Sequence, residues 1–217
     1  PSRRKFLATT AVGAATLTAI SNSLHAGLFA AGSDLLKVGL VGCGGRGTGA
    51  AEQALNADPG TELVALGDVF EDATERARRS LTRMFNKDTV HPRVTLSDDA
   101  CYTGFDNYLR VIEKSDVVLL ATSPHFRPQH LRAAVEADKH VFCEKPVAVD
   151  APGVRSVMES SEMAKAKGKL VGAITTTRVT HATPAATYAH TCHRDAESDI
   201  AAQLVPAGLG YNTQLGT

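Results

Sequence analysis

The sequence predicts an α/β fold in which a doubly wound, parallel sheet carries helices on both faces. Two observations lead to this fold class. Short apolar runs rich in Val and Leu alternate along the chain with longer segments of helical periodicity. The runs are apolar throughout instead of alternating with polar residues, which is typical of strands buried on both faces in a parallel sheet. Helices between such strands are the usual connections of this architecture.

The strands are expected where the apolar runs lie. Residues 38–41 and 63–66 form the first two, and residues 91–94 are a break with a short edge strand. The run 116–121 is strongly apolar and β-branched. Two further strands follow, one at residues 140–143 and one that begins at residues 169–172.

Helices are expected at residues 48–56, 71–86, 105–114 and 127–137. Within the third of them, Tyr108, Val111 and Ile112 recur at helical spacing. A last helix runs to about residue 167. Asp150 is its expected N-cap, and Pro152 stands in its first turn.

A glycine-rich turn connects the first strand to the first helix. Residues 42–47 read Gly-Cys-Gly-Gly-Arg-Gly, a G-x-G-x-x-G pattern directly after an apolar run. The first glycine permits the tight turn, the second lets a pyrophosphate approach the backbone, and the third lets helix and strand pack closely. The six residues alone would also fit an ordinary turn. In this context they predict a dinucleotide site of Gly42, Cys43, Gly44, Gly45, Arg46 and Gly47.

An acidic residue stands where this interpretation requires one. The second apolar run ends at Asp68, 21 residues after Gly47. A carboxylate at the tip of the second strand binds the ribose hydroxyls and would repel a 2′-phosphate, which favours NAD over NADP. Three arginines, Arg76, Arg78 and Arg79, could soften this preference, although they fit the solvated face of a helix equally well.

Two further loops follow strands, where this fold binds ligands. The first contains Thr122, Ser123, Pro124 and His125, and the second contains Glu144, Lys145 and Pro146. A lysine beside an oxidised nicotinamide faces a positive charge and is partly desolvated, so it could share a proton with a substrate hydroxyl. A surface ion pair between Lys145 and Glu144 is the alternative. Pro146 would fix the loop, with a cis bond as one option.

Length and composition limit the number of domains and the kinds of partner that this chain can have. The chain has 217 residues, is 43% hydrophobic and has a formal net charge of +0, which suffices for one domain and part of another. The charge balance gives no support for a nucleic-acid partner, and a homo-oligomer stays open. The four cysteines, Cys43, Cys101, Cys143 and Cys192, are widely spaced, so no zinc site is expected and buried free thiols are favoured at Cys43 and Cys143.

The first 35 residues are interpreted as a targeting segment. Residues 2–7 read Ser-Arg-Arg-Lys-Phe-Leu, and an uncharged stretch rich in Ala, Thr and Gly follows. Paired arginines before an apolar region are what the twin-arginine translocase reads, so we expect export to the periplasm or another extracytoplasmic space. The stretch is too weakly apolar for a membrane span. A disordered basic tail is the alternative.

Together, residues 42–47, Asp68, residues 121–125 and residues 144–146 resemble the glucose–fructose oxidoreductase / inositol dehydrogenase (Gfo/Idh/MocA) family. The resemblance covers residues 36–174 and implies a Rossmann-type NAD(P)-binding domain that transfers a hydride on a sugar, cyclitol or related polyol. It implies that Lys145 is the catalytic lysine beside the nicotinamide, that Glu144 lies near the nicotinamide ribose, and that residues 122–125 line the cofactor. Some exported members of the family carry twin-arginine signals, which agrees with Arg3 and Arg4.

Residues 175–217 depart from the resemblance. Family members continue into a second α/β domain that supplies an Asp-x-x-x-His pair, and no such pair occurs here. We therefore expect the substrate domain to be truncated or missing, with an irregular tail in its place. His190, Cys192, His193 and Asp195 would be an incidental cluster and not a metal site. The function is then that of an NAD(P)-dependent oxidoreductase, mainly its nucleotide-binding half, or of a non-catalytic dinucleotide-binding fragment or scaffold.

Overall fold

The computed structural model describes residues 35–87, 92–97, 99–186 and 188–204. Its centre is a sheet of five strands, β1 (Leu36–Val41), β2 (Thr61–Asp68), β3 (Cys101–Thr103), β4 (Val117–Leu120) and β5 (His140–Cys143). The strands lie in the order β3-β2-β1-β4-β5, and every neighbouring pair is parallel. Strands β2 and β3 lie on one side of β1, and β4 and β5 lie on the other side. The direction in which successive strands are added to the sheet therefore reverses between β1 and β4. The predicted doubly wound, Rossmann-type sheet is confirmed.

Helices cover both faces of this sheet. They are α1 (Gly45–Ala57), α2 (Glu71–Phe85), α3 (Asn107–Lys114), α4 (Arg127–Glu136) and α5 (Ala151–Ala166), followed by the shorter α6 (Ala182–Ala185) and α7 (Glu197–Leu204). One core cluster joins the strands to α1 and α2 through Leu55 and Leu81. The other joins them to α3 and α4 through Val111 and Ala134. Because both faces are covered at the centre, the central strands β1, β2 and β4 are mostly apolar, whereas His140 and Phe142 of β5 are exposed.

Several boundaries differ from those that the sequence predicts. Helix α1 begins three residues earlier than expected, at Gly45, because the glycine turn itself forms the first helical turn. Strand β3 was not predicted, since three residues give no readable periodicity, but it pairs with the end of β2. The expected short edge strand is reduced to a single parallel bridge between Val94 and Leu63. Asp150 caps α5 as predicted, its carboxylate accepting a bond of 2.7 Å from the Gly153 amide.

The prediction that a strand begins at residues 169–172 is wrong. The backbone amide of Lys169 bonds the Ala164 carbonyl at 3.0 Å, which finishes α5 instead of starting a ladder. The ammonium of Lys169 reaches the Asp138 carbonyl at 3.0 Å, which ties it to the end of α4. Leu170 beyond it is fully exposed, at 102% of its reference area. This apolar run therefore ends a helix and does not join the sheet. Within the described residues β5 consequently remains an edge strand.

The described residues beyond 175 contain two short helices. Arg178 pairs with Glu197, whose carboxylate also accepts a bond of 2.8 Å from the Thr180 hydroxyl. Ile200 of α7 is buried. None of the helices that the structure describes is both long enough and apolar enough to cross a membrane. Residues 1–34, which hold the predicted twin-arginine signal, lie outside the described residues.

Candidate dinucleotide-binding site

The predicted site residues gather at one edge of the sheet. The glycine turn follows β1, Asp68 ends β2, the loop of Thr122 follows β4, and the turn of Lys145 follows β5. In a parallel sheet these carboxyl ends meet at the same edge, and the crevice opens where the winding reverses between β1 and β4. The topology therefore brings four separate segments of the sequence to one site.

Two glycines of the turn are required by the fold itself. Gly42 has a φ of +96°, and a Cβ there would lie 2.6 Å from the Thr122 backbone nitrogen. A Cβ on Gly47 would lie 1.8 Å from the Gly42 carbonyl oxygen. The first position needs the left-handed conformation, and the second needs close contact between helix and strand. Both therefore have the structural roles that the pattern predicts.

Gly44 differs from these two. It has φ −69° and ψ −179°, which any residue can adopt, and a Cβ there would meet nothing within 4 Å. Gly45 beside it is equally open. The fold alone thus gives no reason for a glycine at position 44. The space that its missing side chain leaves is where the G-x-G-x-x-G pattern places the pyrophosphate.

The start of α1 suits an anion. Gly44 is the N-cap and supplies no side-chain cap, and the first turn contains no acidic residue. The first helical bond runs from the Thr48 amide to the Gly44 carbonyl at 2.9 Å. The preceding amides, those of Gly45, Arg46 and Gly47, consequently have no intrahelical acceptor. Free amides and the positive end of the helix dipole together form a phosphate-binding surface.

Asp68 is held directly beside this surface. One carboxylate oxygen accepts a bond of 2.7 Å from the Cys43 amide, and the other accepts a bond of 3.1 Å from the Phe70 amide. These bonds fix the carboxylate at the tip of β2, next to the glycine turn. That is the position from which an acidic residue can bind the hydroxyls of a ribose.

The turn after β5 lies against the glycine turn. The Arg46 side chain donates to the Glu144 carboxylate, with 2.7 Å between Nε and Oε1, and its second nitrogen also contacts that oxygen. Glu144 is buried, whereas Lys145 is exposed. Among the described residues Lys145 has no ion pair, so the alternative pairing with Glu144 is not formed. The peptide bond between Lys145 and Pro146 is cis.

Comparison with known proteins identifies the family. The model of the GFO_IDH_MocA family, described as "Oxidoreductase family, NAD-binding Rossmann fold", matches residues 36–175. The chain belongs to this oxidoreductase family. Its description makes residues 36–175 an NAD-binding Rossmann fold.

Individual relatives are similar over about three fifths of the chain length. Glycosyl hydrolase family 109 protein 1 of Bacteroides fragilis is 31% identical over 132 residues, which are 59% of this chain and 26% of that protein. Inositol 2-dehydrogenase of Cereibacter sphaeroides is 30% identical over 127 residues, 58% of this chain and 33% of that protein. A solved structure, a probable dehydrogenase from Thermotoga maritima, is 27% identical with a TM-score of 0.48, covering 62% of this chain and 34% of its own. The chain thus spans about a quarter to a third of the length of these relatives.

One further relative is of a different kind. Alkaline phosphatase 4 of Drosophila melanogaster is 61% identical over 63 residues, which are 29% of this chain and 10% of that protein. These 63 residues are more than lie on either side of the GFO_IDH_MocA match at residues 36–175, so the two likenesses share part of the chain.

Arg127 is a site residue that sequence reasoning missed. It is buried at 5% exposure, and its guanidinium donates to the carbonyl of Glu144 at 2.8 Å and to the carbonyl of Pro146. It thereby holds the backbone on both sides of Lys145. In the sequence, an arginine that binds backbone carbonyls cannot be distinguished from an arginine on a helix surface. No sequence pattern therefore predicts this role for Arg127.

The loop after β4 rests on a buried histidine. The Thr122 hydroxyl lies 3.4 Å from Nδ1 of His130, whose ring stacks on Tyr108 at 4.2 Å between centroids. Burial lowers the pKa of His130 to about 4, so its ring is neutral near pH 7. The Ser123 carbonyl accepts a bond of 3.1 Å from the Phe126 amide, which closes the loop.

The remaining predicted residues add no reactive group. Ser123 and His125 are exposed, and the ring of His125 meets Phe126 edge-on at 5.2 Å. Cys43 is a buried free thiol, as expected, and burial raises its pKa. Burial also raises the pKa of Cys143 to about 11, so both thiols are protonated near pH 7. The described residues contain no group of three or more metal-ligating side chains.

Proposed function

We propose that residues 36–175 are the nucleotide-binding part of an NAD(P)-dependent oxidoreductase that transfers a hydride on a sugar, cyclitol or related polyol. The family description and the 30% identity to an inositol 2-dehydrogenase support this reaction class. The fixed carboxylate of Asp68 favours NAD over NADP, because it would repel a 2′-phosphate.

The observation that carries the proposal is the position of Lys145. Its turn follows β5, is held by Arg127 from within the domain, and contacts the glycine turn through Glu144 and Arg46. Bound NAD supplies the hydride acceptor. The positively charged nicotinamide ring would favour the neutral amine of Lys145 on this fixed turn. That amine would then take the proton of the substrate hydroxyl, and the ammonium would return it in the reverse direction.

Chemical labelling of the chain itself tests this placement. A lysine-specific acylating reagent is applied with and without NADH, and the rates at individual lysines are measured by mass spectrometry. NADH should slow the acylation of Lys145 several-fold and leave unchanged that of Lys165, an exposed lysine on α5 paired with Glu162. Equal rates at Lys145 with and without NADH would remove it from the nicotinamide side of the site.

Turnover separates the candidate functions. In any form of the protein that oxidises a polyol, Lys145→Ala should lower kcat by about 10² or more while NADH affinity stays within a few-fold. A panel of sugars and cyclitols followed by nicotinamide absorbance should yield NADH if the protein is a dehydrogenase. Cleavage of an aryl glycoside without net NADH formation would favour the hydrolase activity named for the Bacteroides relative. NADH binding without either reaction would favour a non-catalytic binding module.

We expect no turnover from the 217-residue chain by itself. A hydride acceptor works only if the reacting carbon is held against the nicotinamide with a proton-transfer group beside it. Lys145 is exposed, and the described residues beyond 175 form two short helices and no sheet. The likeness to Alkaline phosphatase 4 spans a tenth of that protein, which is too little to carry a phosphatase activity to this chain.

We further propose export by the twin-arginine route. The support is the sequence of residues 2–7, in which Arg3 and Arg4 precede an uncharged stretch. This translocase carries folded proteins, which suits an enzyme that binds its nucleotide before it leaves the cytoplasm.

A further inference from the structure

The ion pair between Arg46 and Glu144 connects the two loops of the site across 98 residues of sequence. Arg46 stands in the first turn of α1, among the free amides that suit a phosphate. Glu144 stands immediately before Lys145. The arginine side chain is 51% exposed, whereas that of the glutamate is only 9% exposed. The pair therefore consists of a buried carboxylate and a half-exposed partner that reaches over to cover it.

A carboxylate in this position is unfavourable for nucleotide binding unless it is neutralised. The Glu144 carboxylate is bonded by the Arg46 side chain, which itself stands in the phosphate-binding turn. A pyrophosphate bound at that turn would place further negative charge nearby. Like charges at such a distance, partly shielded from water, repel strongly. The amides of α1 attract the pyrophosphate, but they do not bind the Glu144 carboxylate. Among the described residues, the ion pair of Glu144 is with Arg46.

We propose that Arg46 is the counterion of Glu144, and that by neutralising this carboxylate it lets the pyrophosphate bind and keeps the Lys145 turn against the glycine turn. Arg46 is then a positioning residue and not a direct phosphate ligand. This inference rests on the proposed nucleotide function of the same site.

A double-mutant cycle tests the proposal with the full 217-residue chain. Dissociation constants for NADH are measured by fluorescence for the native protein, Arg46→Met, Glu144→Gln and the double variant. The methionine keeps much of the apolar stem of the arginine, and the glutamine keeps the shape of the glutamate. Arg132→Met is the control, because the Arg132 side chain is about as exposed as that of Arg46 and pairs with the exposed carboxylates of Glu136 and Glu159, away from the glycine turn. Far-UV circular dichroism and thermal unfolding establish that each variant is folded, and Arg46→Gln, which also removes the charge, replaces Arg46→Met if the latter is not. Arg46→Lys is measured as the variant that keeps the charge.

The counterion role gives a specific pattern. Arg46→Met should weaken NADH binding at least tenfold when Glu144 is present. In the Glu144→Gln background the same change should weaken it no more than threefold, because the charge that Arg46 neutralises is gone. Arg46→Lys should lose no more than a few-fold. Arg132→Met should match the native protein.

Other patterns overturn the proposal in distinguishable ways. If Arg46→Met weakens binding by the same factor with and without Glu144→Gln, Arg46 binds the phosphate directly. If Arg46→Met binds as the native protein does, the pair is incidental to binding. If the native protein itself fails to bind NADH, the proposed nucleotide function fails, and the counterion role fails with it.

Discussion

Substituting the glycines of the turn one at a time separates the demands of the fold from those of the ligand. Gly44→Val places a branched side chain where a Cβ meets nothing within 4 Å, on a backbone that valine can adopt. The apo protein should therefore keep its melting temperature within about 2 °C. Gly49→Val is the matched control, because Gly49 lies on the same helix and is equally open, yet outside the pattern.

The expected loss is one of ligand stabilisation. NADH at one hundred times its dissociation constant should stabilise the native chain by about 2.7 kcal/mol, which for a domain of this size is about 8 °C. Gly44→Val should show none of this shift, since its side chain fills the pyrophosphate position. Gly49→Val should show all of it. Melting curves with and without NADH, recorded by circular dichroism, measure both quantities in one experiment.

Gly47→Ala should behave in the opposite way. Its Cβ would lie 1.8 Å from the Gly42 carbonyl oxygen, so α1 must move away from β1. Overpacking of this kind costs about 2 kcal/mol or more, and the apo melting temperature should fall by at least about 6 °C. The reasoning is refuted if Gly44→Val destabilises the apo protein as much as Gly47→Ala does, or if it keeps the full NADH shift.

Three further predictions concern other parts of the chain. Asp68→Ala should lower the ratio of the NADPH dissociation constant to the NADH dissociation constant at least about tenfold, because the charge that repels a 2′-phosphate is removed. An unchanged ratio would mean that the carboxylate only holds the loop in place. Burial lowers the pKa of His130 from an ordinary 6.5 to about 4, so between these pH values the unfolded chain binds a proton that the folded chain does not. The free energy of unfolding should therefore fall by about 2 kcal/mol between neutral pH and pH 5. His130→Gln should flatten this pH dependence of the melting temperature, whereas the control His140→Gln, at an exposed histidine, should not. Changing Arg3 and Arg4 both to Lys should retain the protein in the cytoplasm, as followed by cell fractionation, and equal export of the double variant would leave only a basic tail.

The fold and the positions of the site segments could be predicted because they depend on local patterns. Apolar runs indicate buried strands, and the strand order places the residues that follow them at one edge. The same logic placed the glycine turn, Asp68 and Lys145 together without any measured distance. It failed at residues 169–172, where an apolar run finishes a helix instead of joining the sheet, because hydrophobicity alone does not say which backbone groups are already bonded.

The contacts between the segments could not be predicted. The pairing of Glu144 with Arg46, rather than with the adjacent Lys145, depends on which side chains the sheet brings together across 98 residues. The role of Arg127 depends on burial, which is not visible in the sequence of an apparently ordinary helix start. The neutral state of His130 likewise follows from its stacking on Tyr108 within the core. Each of these is a property of tertiary structure.

The extent of the hydrophobic core has a consequence for how this domain combines with other sequences. The buried members of both core clusters lie between Val38 and Ala134, Val141 and Cys143 of β5 pack against the second cluster, and α5 adds its buried Ser160 and Ala164. Ala185 and Ile200 are buried in the segment beyond and belong to neither cluster. A polypeptide attached after residue 170 therefore adds nothing to these two clusters. The surface it meets is formed by apolar side chains that the domain leaves exposed, among them Phe142 on β5 and Met158 on α5. A C-terminal neighbour can thus be exchanged without changing the buried centre, while the burial of these exposed side chains depends on which neighbour follows.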